Sequence, residues 1–298
     1  MRLLESRALP EGGFSARSGE SFRSDATAWA ILALSRLAPG HSLFGPARDR
    51  LAAAQDLDGR VSISREHEEV FWPTALSILA WHGSAAHQIH RNRGVQFLLK
   101  TTGQHRSKNP DDPVGHDPSI PGWPWIDGTH SWIEPTALSV IALKAAGHGK
   151  HDRVREAIRM MLDRQLPHGG WNYGNTTVYG RELHPMPEST GAALVGVAGQ
   201  IERETLARSL GYLQGEVDRL RTPISLGWAL LGLIAWDLWP SNGSSLIERC
   251  LANQARYGEY DTSALCLLLL AALEGEAGGK NTLFLHAIHQ HLSAAYPH

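Results

Sequence analysis

Carboxylate side chains recur at one place in this sequence, two residues before a Thr or Ser that begins an apolar run. Four of the six runs carry an acid there: Asp25, Glu134, Glu188 and Asp261. The other two have Trp72 and Pro223 at this position. Carboxylates that are buried close together raise each other's pKa, and a proton donor at neutral pH requires a raised pKa. The four acids are therefore candidate catalytic residues if the fold brings them together.

Each of these acids also has a structural interpretation. A carboxylate near the start of a helix accepts hydrogen bonds from backbone N–H groups that lack a partner within the helix, and it complements the helix dipole. Pro135, next to Glu134, suits the first turn of a helix. Capping and catalysis are both consistent with the pattern.

The runs that follow these positions predict buried helices. They are rich in Ala and Leu and lie at residues 27–34, 74–81, 136–143, 190–197, 225–232 and 263–270. A helix that is apolar on nearly all sides is a buried helix. The segments between them are amphipathic and predict outer helices, for example at residues 47–55, 154–162, 206–214 and 246–254. Cys250 and Cys266 lie within these patterns, which predicts buried thiols rather than a disulfide.

Six alternations of buried and amphipathic helices predict an all-α fold, an α/α toroid of six inner and six outer helices in a single domain spanning residues 1–298. Because the inner helices of such a ring run parallel, the four acids should surround one mouth of the central cavity. The first unit has almost no helix before its turn, whereas residues 281–293 form an unpaired amphipathic segment. We expect that segment to close the ring, so that removing residues 281–298 unfolds the protein.

A short phrase also repeats between the helices. Residues 9–14 read Leu-Pro-Glu-Gly-Gly-Phe, and residues 166–171 read Leu-Pro-His-Gly-Gly-Trp. The glycine pair permits a turn with positive φ, and Trp171 can anchor the end of the outer helix. The outer segments end at a glutamine, which is predicted to bond to the turn backbone, at Gln55, Gln165, Gln214 and Gln254.

An outer helix ending in Gln, a Gly-Gly-Trp turn and a Thr-Ala-Leu inner helix together resemble the QW-repeat proteins. These are squalene and oxidosqualene cyclases, bacterial class II terpene cyclases and the β subunits of protein prenyltransferases. The resemblance covers essentially the whole chain and implies a toroid that binds an apolar or isoprenoid molecule in its cavity. It is specific for the fold and says less about the activity, because one fold hosts many activities.

The cyclases imply a role for the four acids. They protonate an isoprenoid with the middle Asp of an Asp-x-Asp-Asp-Thr-Ala stretch, which matches the acid two residues before each Thr or Ser. No unit here carries the complete stretch, and the nearest version is Glu259-Tyr-Asp261-Thr-Ser263.

The prenyltransferases imply a second comparison. Asp127-Gly-Thr129 resembles the Asp-Gly-Cys stretch that supplies zinc ligands in those enzymes, but Thr129 replaces the thiolate. The third ligand of the family, a histidine, would fall near Ser189. We therefore expect no metal and no cofactor. The alternatives are a turn at Asp127 or a different metal site formed by Asp127, His130 and His184.

Loop side chains near the predicted mouth complete the candidate site. His130 is a candidate for proton transfer, as are two further loop histidines, His116 and His184. Aromatic rings can cover an apolar ligand or stabilise a cation. The candidate substrate-binding residues are Trp72, Trp123, Trp125, Trp132, Asp127 and His184. Solvated histidines and tryptophans packed in the core are the structural alternatives.

Composition excludes several other classes. The formal net charge is −2 and no block of Lys or Arg stands out, which argues against nucleic acid as a partner. No stretch has the length of a transmembrane helix or the pattern of a signal peptide, so we expect a cytoplasmic protein. A peripheral membrane contact and the oligomeric state stay open. The diphosphate-binding motif DDxxD, a P-loop and a GxSxG elbow are absent from the sequence.

Two hypotheses follow. The chain is either an enzyme, cyclase-like or prenyltransferase-like, that acts on an isoprenoid-type substrate, or a non-catalytic toroid scaffold that binds a lipid, peptide or protein. A carbohydrate-active α/α barrel is a third reading that shares the acidic rim. A deep aromatic pocket with two converging carboxylates favours the enzyme, whereas a lumen filled by side chains argues against it.

Overall fold

Helices dominate the computed structural model, which describes residues 2–278. In chain order they are α1 (Arg2–Glu5), α2 (Ser24–Leu37), α3 (Phe44–Ala53), α4 (Pro73–Ala80), α5 (Gln88–Lys100), α6 (Ile133–Ala145), α7 (Asp152–Asp163), α8 (Pro187–Val197), α9 (Ala207–Glu216), α10 (Pro223–Ile234), α11 (Gly243–Ala252), α12 (Gln254–Tyr257) and α13 (Thr262–Glu276). Short 3₁₀ segments occupy Ala85–His87, Arg203–Leu206 and Val217–Arg219. A two-stranded antiparallel pair, β1 (Thr177–Val178) and β2 (Arg181–Glu182), lies between α7 and α8.

The six apolar runs form α2, α4, α6, α8, α10 and α13, whose residues are largely buried. Each of these helices packs against the next, and α13 packs against α2, so their contacts follow a closed cycle. The approach of α8 to α10 is especially close, because a Cβ atom at Gly191 would overlap the carbonyl oxygen of Trp228. The structure confirms a mostly helical fold.

The amphipathic segments form a second set of helices. Among the described residues, α3, α5, α7, α9 and α11 each pack against the inner helix that precedes them. In α7, Val154, Ala157 and Met161 are fully buried while Arg155 and Arg159 face solvent. Both cysteines are buried and free, as predicted. The segment expected to close the ring, residues 281–293, lies outside the described residues.

A threonine hydroxyl connects the inner helices to the preceding turns. In four units a Thr Oγ1 accepts a hydrogen bond from a backbone N–H at the turn, at 2.8–3.0 Å; the pairs are Thr27 with Phe14, Thr74 with Val61, Thr136 with Trp123 and Thr190 with Trp171. This bond explains why the turn and the threonine recur together.

The threonine does not open the helix, contrary to the expectation from sequence. Helix α2 begins at Ser24, three residues before Thr27, and α6 begins at Ile133, three residues before Thr136. The acid of the pattern is therefore the second residue of α2, α6 and α8, inside the first helical turn. At this position the acid is not the N-cap residue, which lies just before the first helical residue.

The turn glycines meet the following outer helix. Gly169 has φ +100°, and a Cβ atom there would lie 2.5 Å from the backbone carbonyl carbon of Arg208. Of the four glutamines expected to bond to the turn backbone, Gln55 does so, whereas Gln165 bonds to the next outer helix, Gln214 lies inside α9, and Gln254 donates to the Leu251 carbonyl and accepts the Tyr260 N–H. Gln55 Nε2 donates to the Gly59 carbonyl at 3.0 Å, and Gln165 Nε2 donates to Ser209 Oγ in the next outer helix at 2.7 Å. The turns thus join neighbouring units.

Polar contacts join the two ends of the cycle. The buried Arg7 guanidinium donates to Thr262 Oγ1 at 3.2 Å and to the Tyr260 carbonyl at 2.8 Å. Near the far ends of α2 and α13, Arg36 pairs with the buried Glu274 at 3.1 Å. These contacts tie the first turn of the chain to the last described helix.

Two long connections lie at the end of the cycle where the inner helices begin. Residues 101–132 lead into α6, and residues 164–186 lead into α8. They contact each other, since Val114 pairs with Val178 and the Gly115 N–H donates to the Thr177 carbonyl at 2.9 Å. No helix within residues 2–278 has the length and hydropathy to cross a membrane.

Candidate functional site

Two of the four predicted acids come together where α6, α8 and α10 begin. Glu134 of α6 accepts a hydrogen bond from Ser189 Oγ of α8, at 2.9 Å from its Oε1. Glu188 of α8 accepts one from Ser225 Oγ of α10, at 2.8 Å from its Oε2. Each carboxylate therefore reaches across to the next inner helix.

Glu134 is the more deeply buried of the pair, with 9% of its surface exposed. Burial raises its pKa to about 7, and the negative charge of Glu188 adds to this effect, while the hydrogen bond from Ser189 opposes it. The N-terminal end of a helix stabilises a carboxylate, so the raised pKa means that desolvation outweighs the helix dipole. Glu134 is thus a carboxyl group that holds its proton near neutral pH.

Neither acid acts as a helix cap. The residues at the cap positions are Trp132 before α6 and Met186 before α8, and neither makes a side-chain capping bond. The side-chain bonds of Glu134 and Glu188 go to Ser189, Ser225 and a tyrosine instead. The structural interpretation by capping does not account for this pair.

That tyrosine, Tyr173, is partly exposed beside Glu188 and is not among the residues predicted from the sequence. Its hydroxyl donates to Glu188 Oε1 at 3.3 Å, and its carbonyl accepts from the Ile133 N–H at 2.9 Å. Burial and the charges of Glu188 and Glu134 raise its pKa. The available sequence signal was its place two residues after the turn residue Trp171.

The other two acids have partners of their own. Asp25 is almost fully buried and forms a bidentate ion pair with Arg23, at 2.9 and 3.1 Å, and Ser263 Oγ donates to it at 3.4 Å. Asp261 caps α13 by accepting the Ala264 N–H at 2.8 Å. The capping interpretation therefore applies to Asp261.

Three of the predicted aromatic residues lie in half-buried positions on this face. Trp72 and Trp125 pack edge to face with ring centroids 5.4 Å apart. Trp132, two residues before Glu134, stacks on the exposed His130 with centroids 4.4 Å apart. Burial, followed by the charge of Arg164, lowers the pKa of His130, so this imidazole favours its neutral form.

Trp123 differs from these three. It is fully buried, donates its indole N–H to the Leu98 carbonyl at 3.1 Å and carries the Arg153 guanidinium 3.8 Å above its ring. Trp123 is enclosed as the anchor of its turn, the same part that Trp171 plays in the next unit. We leave it out of the proposed site for this reason.

Within residues 2–278, neither Asp127 nor His184 is among the hydrogen-bond partners of Glu134 and Glu188. Asp127 is exposed and accepts the Gly128 N–H at 2.9 Å, a turn contact. His184 is also exposed, and its backbone carbonyl accepts from Asn172 Nδ2 at 2.7 Å. Across residues 2–278, no three His, Cys, Asp or Glu side chains are grouped so as to hold a metal ion.

The interior of the helix cycle is occupied one turn below the acids. Trp29 of α2 and Trp228 of α10 meet edge to face at 6.0 Å. These helices are not neighbours in the cycle, so this contact lies inside it. A ligand at the acids would therefore occupy the mouth rather than a deep channel at this level.

The described helices place the chain among helical proteins with a terpene cyclase-like fold. Solved structures of similar shape include a variant of the type II terpene cyclase MstE from Scytonema with its substrate geranylgeranyl dihydroxybenzoate (12% identity, TM-score 0.59, covering 93% of this chain and 94% of that one). A protein from Actinoplanes is also similar (15%, 0.54, 94% and 97%), as is an α-amylase from Clostridium perfringens (10%, 0.56, 92% and 96%). At these identities the likeness concerns the fold. No protein-family model and no curated protein sequence matches the chain.

Proposed function

We propose that the chain is an isoprenoid cyclase-like enzyme in which Glu134 is the general acid. The observation that carries this proposal is a buried carboxyl group with a pKa of about 7, held by Ser189 beside Glu188 and not used as a helix cap. A donor whose pKa lies near the operating pH combines the right protonation state with a useful driving force for proton transfer.

The reaction conserves atoms and needs no co-reactant. The Glu134 proton adds to one carbon of a substrate alkene, whose π electrons form the new C–H bond and leave a cation on the neighbouring carbon. A second alkene attacks this cation and closes a ring. Loss of a proton to the Glu134 carboxylate then ends the reaction and restores the acid.

Aromatic rings around the acids suit a cationic intermediate. Trp72, Trp125, Trp132 and Tyr173 are partly exposed on this face, and ring faces attract cations. The substrate of the MstE variant, geranylgeranyl dihydroxybenzoate, is a polyprenyl chain on an aromatic head, and it is the first probe we would test.

The proposal includes the architecture. We propose that residues 1–298 form one α/α toroid of the QW-repeat type, with residues 281–293 as the outer helix of the first unit. The cyclic contacts of the inner helices and the tie between Arg7 and Thr262 support this arrangement.

A non-catalytic scaffold is the second candidate. The contact between Trp29 and Trp228 favours it, because it fills the interior where a cyclase cavity would lie. In that case the bonds from Glu134 to Ser189 and from Glu188 to Ser225 serve only to join inner helices. The hypothesis of a carbohydrate-active enzyme is supported only by the similarity in fold to the α-amylase.

The test is turnover in D₂O. The protein is incubated with geranylgeranyl dihydroxybenzoate and with squalene, and each cyclic product is expected to contain one deuterium. Glu134→Gln should abolish turnover, while Glu248→Gln, an exposed acid on α11, should retain it. Turnover by Glu134→Gln, or no turnover of either polyprenyl probe by the wild type, contradicts the proposal. Release of reducing sugar from starch would support the carbohydrate reading.

A further inference from the structure

A second polar site lies in the long connections beside the acid pair. It is a cavity of about 370 Å³ between residues 101–132 and the segment that follows α7. Its lining includes two arginines and three histidines and contains no Asp or Glu. Among the lining residues are Arg106, His116, His130, Arg164 and Asn175. A pocket with this lining has the size of a small-molecule site and an excess of hydrogen-bond donors.

Arg164 forms the inner wall of this cavity. Only 3% of its surface is exposed, yet no carboxylate makes a direct ion pair with it among the described residues. One terminal nitrogen donates to the Ser131 carbonyl, and Nε has no hydrogen-bond partner within residues 2–278. Burial lowers its pKa to about 10, against the opposing charges of Asp163 and Asp117, so the guanidinium stays positive at neutral pH.

His116 is the second buried group. Its exposed surface is 6%, and within the described part of the chain its Nδ1 has no hydrogen-bond partner. Burial is the main cause that lowers its pKa to about 4, and the positive charges of Arg164, His130 and Lys108 add to it. An unpaired buried polar atom costs stability unless a ligand satisfies it.

The outer cations have partners within the same connection. Arg106 is exposed and pairs with Asp112, and Lys108 donates to the Gly115 carbonyl. The nearest carboxylates have other partners, since Asp117 accepts from Ser119 and Asp163 accepts the Asp117 N–H. The interior of the cavity therefore combines a fixed cation with an unsatisfied imidazole and lacks a compensating anion in its lining.

We propose that this cavity binds an oxyanion group, a carboxylate or a phosphate, between Arg164 and His116. A guanidinium matches the geometry of both groups, and the bonds it makes to them are charge-assisted. His116 also lines the cavity, and its ring donates to the oxyanion once it has taken a second proton. The site is distinct from the acid pair, although Ser131, which accepts from Arg164, lies only three residues before Glu134.

The test uses benzoate and inorganic phosphate as probes, each titrated at constant ionic strength against chloride. Binding is followed by the ¹H–¹³C NMR signal of the His116 ring and by calorimetry. Saturable binding of at least one probe is expected, with a rise in the pKa of His116, because a nearby anion stabilises the imidazolium form. The probe that binds identifies a carboxylate or a phosphate as the ligand group.

The variants separate this site from a general surface effect. His116→Gln and Arg164→Lys should each weaken binding about tenfold or more, since charge-assisted and buried hydrogen bonds are lost or misplaced. Arg249→Gln, on the exposed face of α11, should bind like the wild type. Glu134→Gln should also bind like the wild type, which distinguishes failure of this site from failure of the proposed acid.

Arg164→Lys keeps a positive charge and a donor near Ser131, so its fold is checked by circular dichroism, and His116→Gln serves alone if Arg164→Lys does not fold. No saturable binding of either probe to the folded wild type would overturn the proposal. Binding that is unchanged in His116→Gln would overturn it as well.

Discussion

Four acids share one sequence position, but the structure gives them four different environments. Asp25 is neutralised by Arg23, Asp261 caps its helix, and Glu188 has polar partners near solvent. Glu134 alone among them is buried against a neutral hydroxyl group, that of Ser189, with a second carboxylate acting on it. The chemistry of each acid is therefore set by its particular partners, which lie on the next inner helix for Glu134 and Glu188 and include chain neighbours within three residues for Asp25 and Asp261.

The raised pKa of Glu134 predicts a pH-dependent stability. The folded-state pKa of about 7 exceeds the unfolded value of 4.5, so the folded protein binds more protons between these values. Stability is fully present below pH 4.5 and is lost as the pH rises through 7. The loss is about 3 kcal/mol. Glu134→Gln should remove this dependence and be more stable than the wild type at pH 8.

Urea unfolding at pH 5 and pH 8 measures the effect. The exposed Glu248→Gln is the matched control and should follow the wild-type profile. Equal pH profiles for the wild type and Glu134→Gln would show that the carboxyl group is not held in its protonated form.

The sequence predicted which acids to consider but not which of them to prefer. Ser189 and Ser225 are one unit away in the chain from the carboxylates they contact, and Tyr173 lies in a loop before α8. Their meeting depends on how far α6, α8 and α10 are shifted along one another, which no local pattern encodes. The burial of His116 could not be predicted from a local pattern either, because it depends on the contact between two long connections.

At the scale of the element, the repeated unit is a turn locked to an inner helix by a threonine. Thr136 Oγ1 accepts from the Trp123 N–H at 2.9 Å and also lies 3.3 Å from its carbonyl. Because its hydroxyl bonds to the turn, the threonine does not cap the helix. The acid, two residues before the threonine, is the second residue of the helix. The repeat was visible in the sequence because four of the units share this bond.

Removing the threonine hydroxyl should therefore destabilise the fold. Thr136→Val keeps the shape and leaves the buried Trp123 N–H without a partner. We expect a loss of about 1–3 kcal/mol in the free energy of unfolding. The exposed Thr205→Val is the control and should change little. Calorimetric melting measures both, and equal melting temperatures would contradict the assigned bond.

The turn glycines allow a sharper comparison. Gly169 and Gly180 both have positive φ, but only Gly169 meets neighbouring backbone, whereas a Cβ atom at Gly180 has no atom within 4 Å. Gly180→Ala should cost about 1 kcal/mol for the backbone conformation alone. Gly169→Ala adds the overlap with Arg208 and should cost at least about 2 kcal/mol more. Similar losses for the two variants, measured by urea unfolding, would show that the close approach does not matter.

At the scale of the whole molecule, the inner helices form a cycle whose ends are joined by buried polar contacts. Arg7 is fully buried and bonds to Thr262 and to the Tyr260 carbonyl. Alternating buried and amphipathic helices predicted a mostly helical fold, and a closed arrangement is one way to cover the exposed sides of the first and last units. That residues 281–293 supply the outer helix of the first unit stays a prediction.

Arg7→Met tests the importance of closure. It removes the buried donor to the Tyr260 carbonyl and Thr262 Oγ1 and the ion pair with the exposed Glu259, and the loss of these buried hydrogen bonds should cost about 3 kcal/mol. Arg17→Met, at an exposed position of the same first unit, is the control. If closure holds the molecule together, hydrogen exchange should rise in both α2 and α13 of Arg7→Met; an increase confined to the first turn would contradict this.

A ¹³C NMR titration of the Glu134 carboxyl group measures whether this residue keeps its proton near neutral pH. Glutamate labelled with ¹³C at the δ position is incorporated, and the Glu134 signal is assigned by its loss in Glu134→Gln. We expect the Glu134 signal to titrate with a midpoint near the pKa of about 7. A midpoint near 4.5, the ordinary value for a glutamate, would contradict it.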